Sequence, residues 1–245
     1  MATRLYERLL QEGKFVPYRL ERRTGAYHSV CPCFIDAERE FVTARDLFWA
    51  DPSSHATPSS ATLTRAAENQ GASDLIAQLS QIFTLDYILG NVDRHLSNFG
   101  IIRRQSDMSF ERCAPIFDTG LSLLCHGQDG DVDAIKVPAN PLLGRQSQQL
   151  ALVQDLTWFD EGRLQGFGEE VMEILRQCPS RYMDRERIAF IGALVSSGIQ
   201  VVAELKTTDP VDPDDIAAID RRAQLIDAMR TRLMREAGTG TRLHV

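Results

Sequence analysis

One loop of this sequence carries residue types that can move a phosphoryl group. Residues 90–98 read GNVDRHLSN, and Asp118 follows in the sequence DTG. Phosphoryl transfer needs a carboxylate near the attacking hydroxyl, oxygen ligands for magnesium, and positioning, with little covalent help from the protein. Asp93, followed five residues later by Asn98, offers the carboxylate and one metal ligand. Asp118 can complete the site, because Mg²⁺ keeps several waters and needs few protein oxygens.

A helix is predicted immediately before this loop. Ser73 can cap it, and apolar residues from Leu75 to Tyr87 recur near a 3.6-residue period. Gly90 and Asn91 then end it, because glycine readily adopts the left-handed conformation that closes many helices. The loop is therefore expected to start at the end of a rigid element.

A β-hairpin is predicted between the loop and Asp118. Residues 99–102 (FGII) indicate a short strand, a polar turn lies near residues 105–107, and residues 114–117 (APIF) indicate the second strand. A lone D-x-x-x-x-N spacing would be read as an ordinary turn, since Asp and Asn form turns routinely. The histidine at position 95, the hairpin and Asp118 after it favour a chemical site instead.

The order D-x-H-x-x-N, hairpin, D resembles the catalytic and metal loops of HipA-like serine/threonine kinases and of phosphoinositide kinases. Ordinary protein kinases share the D-x-x-x-x-N spacing. The resemblance implies that Asp93 is the catalytic carboxylate and that His95 holds the loop or a phosphate. It also implies that Asn98 and Asp118 ligate Mg²⁺, and that the cofactors are ATP and magnesium.

Less specific matches extend the resemblance over about residues 14–175. They are similar to a group of uncharacterised HipA-like proteins. The matching segments are Pro17-Tyr18, residues 27–34 (YHSVCPCF), 114–118 (APIFD), 149–153 (QLALV) and 156–160 (LTWFD).

The resemblance implies an α+β, mostly helical fold, the C-lobe of a protein-kinase-like domain with a truncated small-lobe sheet at its N-terminus. We expect one domain over residues 1–245, with a small-lobe and hinge remnant at 14–35 and a helical C-lobe at 63–245. The predicted strand at 30–34 comes just before the helices of the C-lobe, and this is where the fold has its hinge. Backbone groups of Cys31, Cys33 and Phe34 would then meet an adenine.

The remaining elements follow from local patterns. Residues 15–20 and 27–30 are predicted to form a hairpin around a turn at 23–25, and residues 50–62 (ADPSSHATPSSAT) indicate a surface loop. Helices are expected near the C-terminus from apolar periodicity. They start at Asp160 or Glu161 and run to about Leu175, and then cover 187–205 and 214–236.

The N-terminal part departs from the kinase pattern. Before residue 35 the only glycines are Gly13 and Gly25, so no Gly-rich phosphate loop is visible, and Lys14 is the only lysine before Lys136. Three explanations stay open: a misplaced gene start, a partner protein that supplies the small lobe, or a degenerate remnant. The alternative function is therefore a pseudokinase that acts as a binding module.

A minor alternative is an aspartic protease. Residues 116–122 (IFDTGLS) resemble the active-site strand of such enzymes, and residues 142–145 (LLGR) echo the second element of a retroviral protease. That chemistry requires two carboxylates that share a proton. The sequence has no second DTG, and its flanking segments are helical where those proteases are nearly all-β.

Composition narrows the partners and the compartment. A net charge of −7 argues against broad electrostatic binding of nucleic acid or of an anionic membrane. Five cysteines without a C-x-x-C pair fit reduced thiols in the cytoplasm. The start, MATR, lacks the apolar core of a signal peptide. The resemblance, and not the composition, implies the expected partners: a protein substrate, and a partner that supplies the small lobe or acts as an antitoxin.

Overall fold

Helices dominate the protein, and the short strands lie in its first half. The computed structural model describes residues 1–52, 58–125, 145–178 and 183–207, with residues 216, 222, 224, 225, 228 and 231. Helices make up 47% of the described residues, beside two small sheets, so the predicted α+β, mostly helical class is confirmed. The described helices are α1 (Ala2–Leu9), α2 (Ala44–Ala50), α3 (Ser60–Asn69), α4 (Asp74–Leu89), α5 (Gln146–Leu150), α6 (Phe167–Arg176) and α7 (Arg185–Leu205), and the strands are β1 (Arg19–Arg23), β2 (Ala26–Val30), β3 (Arg39–Thr43), β4 (Gly100–Arg104) and β5 (Phe110–Cys113).

The predicted N-terminal hairpin is present as an antiparallel pair of β1 and β2. Its register runs from Arg19 opposite Val30 to Arg23 opposite Ala26. The two residues between the strands, Thr24 and Gly25, both have positive φ, as a two-residue turn with the twist of a hairpin requires. No other described helix or strand packs extensively against this ribbon, and most of its residues are exposed.

The second sheet has three antiparallel strands in the order β3-β4-β5. Strands β4 and β5 form the hairpin expected between the loop and Asp118. The second strand lies at Phe110–Cys113, however, rather than at 114–117. Pro115 lacks a backbone N–H and cannot continue the ladder. Ile116 pairs instead in parallel with Phe15, so that segment runs alongside the N-terminal chain.

Helix α4 is the central element and is buried along most of its length. It begins after Ser73, as predicted, although the Ser73 side chain forms no capping hydrogen bond. Gly90 ends it with φ +63 and donates its N–H to Tyr87 O at 3.3 Å. The helix predicted immediately before the loop is thus confirmed.

Helices α6 and α7 pack against each other, and α7 also packs against α4. The segment predicted from residue 160 is split into a 3-10 helix at Glu161–Leu164 and α6, because Gly166 between them has φ +73. Helix α7 starts two residues earlier than predicted and is capped by Asp184, which accepts the Arg187 N–H at 2.7 Å. Most of the predicted helix at 214–236 lies outside the described residues, but Ile216 is helical and buried.

By length and apolarity alone, α7 could cross a membrane. In its most apolar window, however, 61% is buried inside the protein. That burial is typical of a core helix.

Four of the described helices, α1, α2, α3 and α5, had no sequence prediction. Helix α1 is short, and its apolar residues enter the core. Helix α2 follows β3 directly. Helix α3 starts at Ser60, inside the segment read as a surface loop, because Ser59 and Thr62 form a reciprocal cap. Residues 53–57 of that segment lie outside the described residues.

Candidate active site

Arg94 occupies the centre of the candidate site. Its side chain is 1% exposed and forms a two-pronged ion pair with Asp86 of α4, with Nε–Oδ2 at 2.8 Å and Nη2–Oδ1 at 2.9 Å. Burial lowers the pKa of the guanidinium, but the charge and hydrogen bonds of Asp86, helped by Tyr6 and Asp118, raise it above its ordinary value. Arg94 therefore stays charged inside the protein.

The same guanidinium joins the two predicted site loops. Arg94 Nη1 donates to the carbonyl oxygen of Asn98 at 3.1 Å and to that of Phe117. Phe117 is the residue before Asp118. The structure thus brings Asn98 and the start of the DTG segment together around one buried cation.

Asn98 is itself fixed within the loop. Its Nδ2 donates to the carbonyl oxygen of Asp93 at 3.2 Å, and its N–H donates to His95 O at 2.8 Å. The Asn98 side chain is largely buried. Because the amide nitrogen is used in the loop, the Oδ1 atom is the side-chain oxygen left to face a cation.

His95 holds the local backbone. Its Nδ1 accepts the Ser97 N–H at 3.2 Å, and the imidazole is half-buried. This contact agrees with the first of the two roles implied by the resemblance, that of holding the loop.

Asp118 has a backbone conformation that is uncommon for a residue with a side chain. Its φ is +51, in the left-handed region, and the residue is exposed. Its N–H donates to the hydroxyl of Tyr18 at 3.3 Å. Such backbone conformations concentrate at functional sites, where the surrounding structure holds them. Asp93, by comparison, is half-buried at the start of the loop.

The predicted adenine segment meets the DTG segment through aromatic contacts. The ring of Phe34 lies 5.2 Å from that of Phe117 and 5.6 Å from that of Phe41, centroid to centroid. Burial raises the pKa of the Tyr18 hydroxyl and Cys31 adds to this effect, and the same hydroxyl accepts the Asp118 N–H. Phe34 and Cys31 are therefore near the site.

Cys33 is exposed and has no described link to either site loop. Its thiol donates to the carbonyl oxygen of Ile35 at 3.3 Å. Of the three residues predicted to meet an adenine, Cys33 is thus the one that the structure does not tie to the other predicted site residues.

Further contacts fix the start of the loop. Asn91 Nδ2 donates to Asp86 Oδ1 at 3.0 Å, and Gln146 of α5 donates to Asn91 O at 2.6 Å. Leu123 N–H donates to Leu89 O at 2.9 Å. These bonds hold the chain after Asp118 against the end of α4.

The ligand set suits magnesium better than a transition metal. Among the described residues, no group of three His, Cys, Asp or Glu side chains could hold a metal ion. Asn98 and Asp118 offer an amide and a carboxylate oxygen, which are hard ligands of the kind Mg²⁺ prefers.

Sequence reasoning missed Asp86, Arg94 and Tyr18. Arg94 lies within the quoted loop, and Asp86 lies eight residues before it in the apolar helix. A charged residue inside an otherwise buried helix was the signal that could have found the pair, because buried charges are nearly always paired.

Comparison with a solved structure shows which class of fold this chain has. A Helicobacter pylori proinflammatory kinase, CtkA, is similar to this chain with a TM-score of 0.56 and 17% identity. The match covers 96% of this chain and 86% of that chain. At this identity the likeness shows the fold alone, and the fold is that of a kinase.

Neither a protein-family model nor a curated protein sequence matches the chain. The kinase-like fold that the resemblance implied is confirmed. The mixed helical architecture does not resemble the nearly all-β fold that the protease alternative needs, and residues 142–144 of that alternative lie outside the described residues.

Proposed function

We propose that this protein is a HipA-like serine/threonine kinase that transfers phosphate from ATP to a protein hydroxyl with magnesium. The kinase-like fold supports this proposal. The observation that carries it is the position of Arg94, which donates to both Asn98 O and Phe117 O and so joins the two loops of the predicted site.

Each site residue then has a distinct role. Asp93 orients the attacking hydroxyl and accepts its proton late in the transfer. His95 keeps the loop closed through Ser97. Asn98 and Asp118 would hold the metal, and Mg²⁺ bound there would neutralise charge on the phosphates. The segment with Cys31, Cys33 and Phe34 would meet the adenine through its backbone.

The resemblance to HipA-like kinases also favours a regulatory or toxin-like role in a bacterial cytoplasm. A protein substrate is part of this proposal, as is a partner that supplies a small lobe or acts as an antitoxin. Neither nucleic acid nor membrane is a proposed partner.

A pseudokinase that only binds nucleotide is the second candidate. The observation in its favour is the turn of the β1–β2 hairpin, which contains one glycine, Gly25, where a kinase would use several to cover phosphates. Asp93, Asn98 and Asp118 remain in place and favour catalysis.

Calorimetric titration of ATP with and without Mg²⁺ tests the proposal. We expect binding that needs the metal and that weakens at least about tenfold in Asp118→Ala, because one of two protein ligands is lost. Asp107→Ala is the matched control, since Asp107 is an exposed carboxylate in the β4–β5 turn. Binding that is insensitive to Mg²⁺, or equally weakened in both variants, would contradict the proposal.

Phosphate incorporation then separates the enzyme from the binding module. We expect labelled phosphate from ATP to enter the protein or an added substrate, and to be lost in Asp93→Ala. Metal-dependent binding without any incorporation would favour the pseudokinase.

A further inference from the structure

A cavity of about 540 Å³ opens between the N-terminal chain and the end of β5. Residues 12–17, Pro32 and Phe34 line one part, and residues 112, 113 and 115 line the other. Its volume falls within the roughly 300–1,000 Å³ of small-molecule sites. None of the carboxylate or amide side chains of the predicted magnesium site belongs to this lining.

Two cationic residues, Lys14 and Arg112, line this cavity. The side chains of Lys14 and Arg112 form no ion pair or hydrogen bond within the described residues. The other arginines of the same sheet are paired: Arg39 and Arg104 both bind Glu111, at 2.6 and 2.7 Å, and Arg103 binds Glu40. Arg112 is thus the exception in its sheet. With one acid, Glu12, in the lining, the cavity carries net positive charge.

The rest of the lining is largely apolar. Pro17, Pro32 and Pro115 contribute rings without backbone N–H donors, and Phe34 adds an aromatic side chain. Burial, with Asp74, raises the pKa of the Cys113 thiol to about 12, so it is neutral near pH 7. A planar ring could lie on these walls while an anionic group reached the cations.

We infer that this cavity binds a flat aromatic ring that carries one anionic group, such as a carboxylate, a sulfonate or a phosphate. The cavity borders the proposed adenine segment, with which it shares Phe34, but its two cations have no role in the proposed nucleotide and magnesium site. The cations supply charge complementarity for the anion, and the prolines and Phe34 supply the apolar surface. The inference goes beyond the proposed function and does not depend on it.

Two fluorescent dyes test this inference because they differ only by the anion. Anilinonaphthalene sulfonate is the probe, and N-phenylnaphthylamine is its neutral counterpart. We expect saturable binding of one sulfonate dye per chain. The double variant Lys14→Met, Arg112→Met should weaken it by roughly tenfold or more, while the neutral dye is unchanged, because only the charge-assisted contacts are lost.

The matched control is Arg22→Met. Arg22 is an exposed arginine of the β1–β2 hairpin, away from the cavity, and it too forms no ion pair within the described residues. It should leave both dyes unaffected. Charge reversal with Lys14→Glu and Arg112→Glu, at exposed positions that folding tolerates, should abolish binding of the sulfonate dye.

Two outcomes would overturn the inference. The first is equal loss in Arg22→Met, or binding of many dyes per chain, which would indicate general surface attraction. The second is displacement of the dye by ATP with Mg²⁺ that disappears in Asp118→Ala, which would make the cavity part of the nucleotide site. If the protein binds no ATP at all, the proposed function fails, but the dye measurements still decide this inference.

Discussion

Arg94 is the residue on which the site geometry most depends. An arginine suits this position because its planar guanidinium binds the Asp86 carboxylate with two parallel bonds and still has a donor for Asn98 O and Phe117 O. A lysine would offer a point charge in place of this fork. The cost of burying the charge is offset only while Asp86 remains its partner.

Arg94→Met is therefore expected to destabilise the protein strongly. It leaves Asp86 buried and unpaired, a change that costs about 3–5 kcal/mol in the free energy of unfolding. Urea unfolding followed by circular dichroism measures it. Arg103→Met is the control: its partner Glu40 is 36% exposed, and such pairs contribute about 0–1 kcal/mol.

The double variant Arg94→Met, Asp86→Leu sharpens this test. It removes both charges and should recover part of the lost stability, since replacing a whole buried pair is far less costly than breaking it. If Arg94→Met were no more destabilising than Arg103→Met, the buried Arg94–Asp86 pair would contribute no more to stability than a surface ion pair, which would contradict this prediction.

The sequence suggests three candidate site residues, but it did not suggest the residues that position their loops. Asp93, Asn98 and Asp118 could be grouped because their order and spacing have a chemical meaning. Asp86 and Arg94 could not be paired in the same way. The helix ends at Gly90 between them, so no helical period relates their positions, and charged residues are usually assigned to the surface.

At the scale of elements, α1 depends on α6 for its position. An eight-residue helix is marginal by itself in water. Leu5, Tyr6 and Leu9 bury its apolar side. Arg4 and Arg8 both bind Glu170 of α6, the first at 2.9 Å. No capping signal and no long apolar period predicts this helix, because packing and these ion pairs stabilise it.

The ion pairs of Glu170 predict that the free energy of unfolding depends on pH. Partial burial raises the pKa of this carboxyl, but Arg4 and Arg8 outweigh that effect and lower it below its ordinary 4.5. A lowered pKa adds stability that is present above 4.5 and is lost as the pH falls through the folded-state value.

Glu170→Gln should therefore reduce the free energy of unfolding by about 1 kcal/mol at pH 7, a value typical of partly exposed pairs. The difference from the unchanged protein should shrink as the pH falls below about 4. Urea unfolding at several pH values measures it. A difference that stays constant down to pH 3 would show that the Glu170 charge does not matter.

Strand β5 shows why some element boundaries were missed. Residues 114–117 have strand-like composition, and they are extended, but Pro115 prevents ladder pairing there. The chain pairs at Phe110–Cys113 instead, where Glu111 binds Arg104 of the neighbouring strand β4 and Arg39 of β3, one strand further. Cross-strand charge pairs of this kind become visible only when the partner strand is known.

At the scale of the whole molecule, one buried apolar cluster links the ends of the described chain. It includes Leu5 of α1, α4, α7 and Ile216. A continuous core predicts a single cooperative unfolding transition.

Two probes in different regions test this cooperativity. In Trp49→Phe, the remaining Trp158 reports on the region before α6, while circular dichroism reports on all helices. Trp49 is 59% exposed, so its loss should matter little. We expect the two urea curves to coincide. Separate midpoints would show that the N-terminal elements unfold independently, against a single domain over 1–245.

The β1–β2 ribbon is the described element where a protease is expected to cut the folded protein first. A two-stranded ribbon with no cover from other described elements is marginally stable and opens at little cost. Arg22 and Arg23 lie at its tip. Trypsin should therefore cut there before it cuts at Arg103 or Arg104 of β4, the central strand of its sheet.

Mass spectrometry of short digests would identify the first cut among the described strands and helices, and Arg22→Gln with Arg23→Gln should remove it. The apolar face of α1 lies in the core, so the clipped fragment should remain bound and elute with the rest of the chain. Earlier cleavage at β4 would show that the ribbon is not the first element to open.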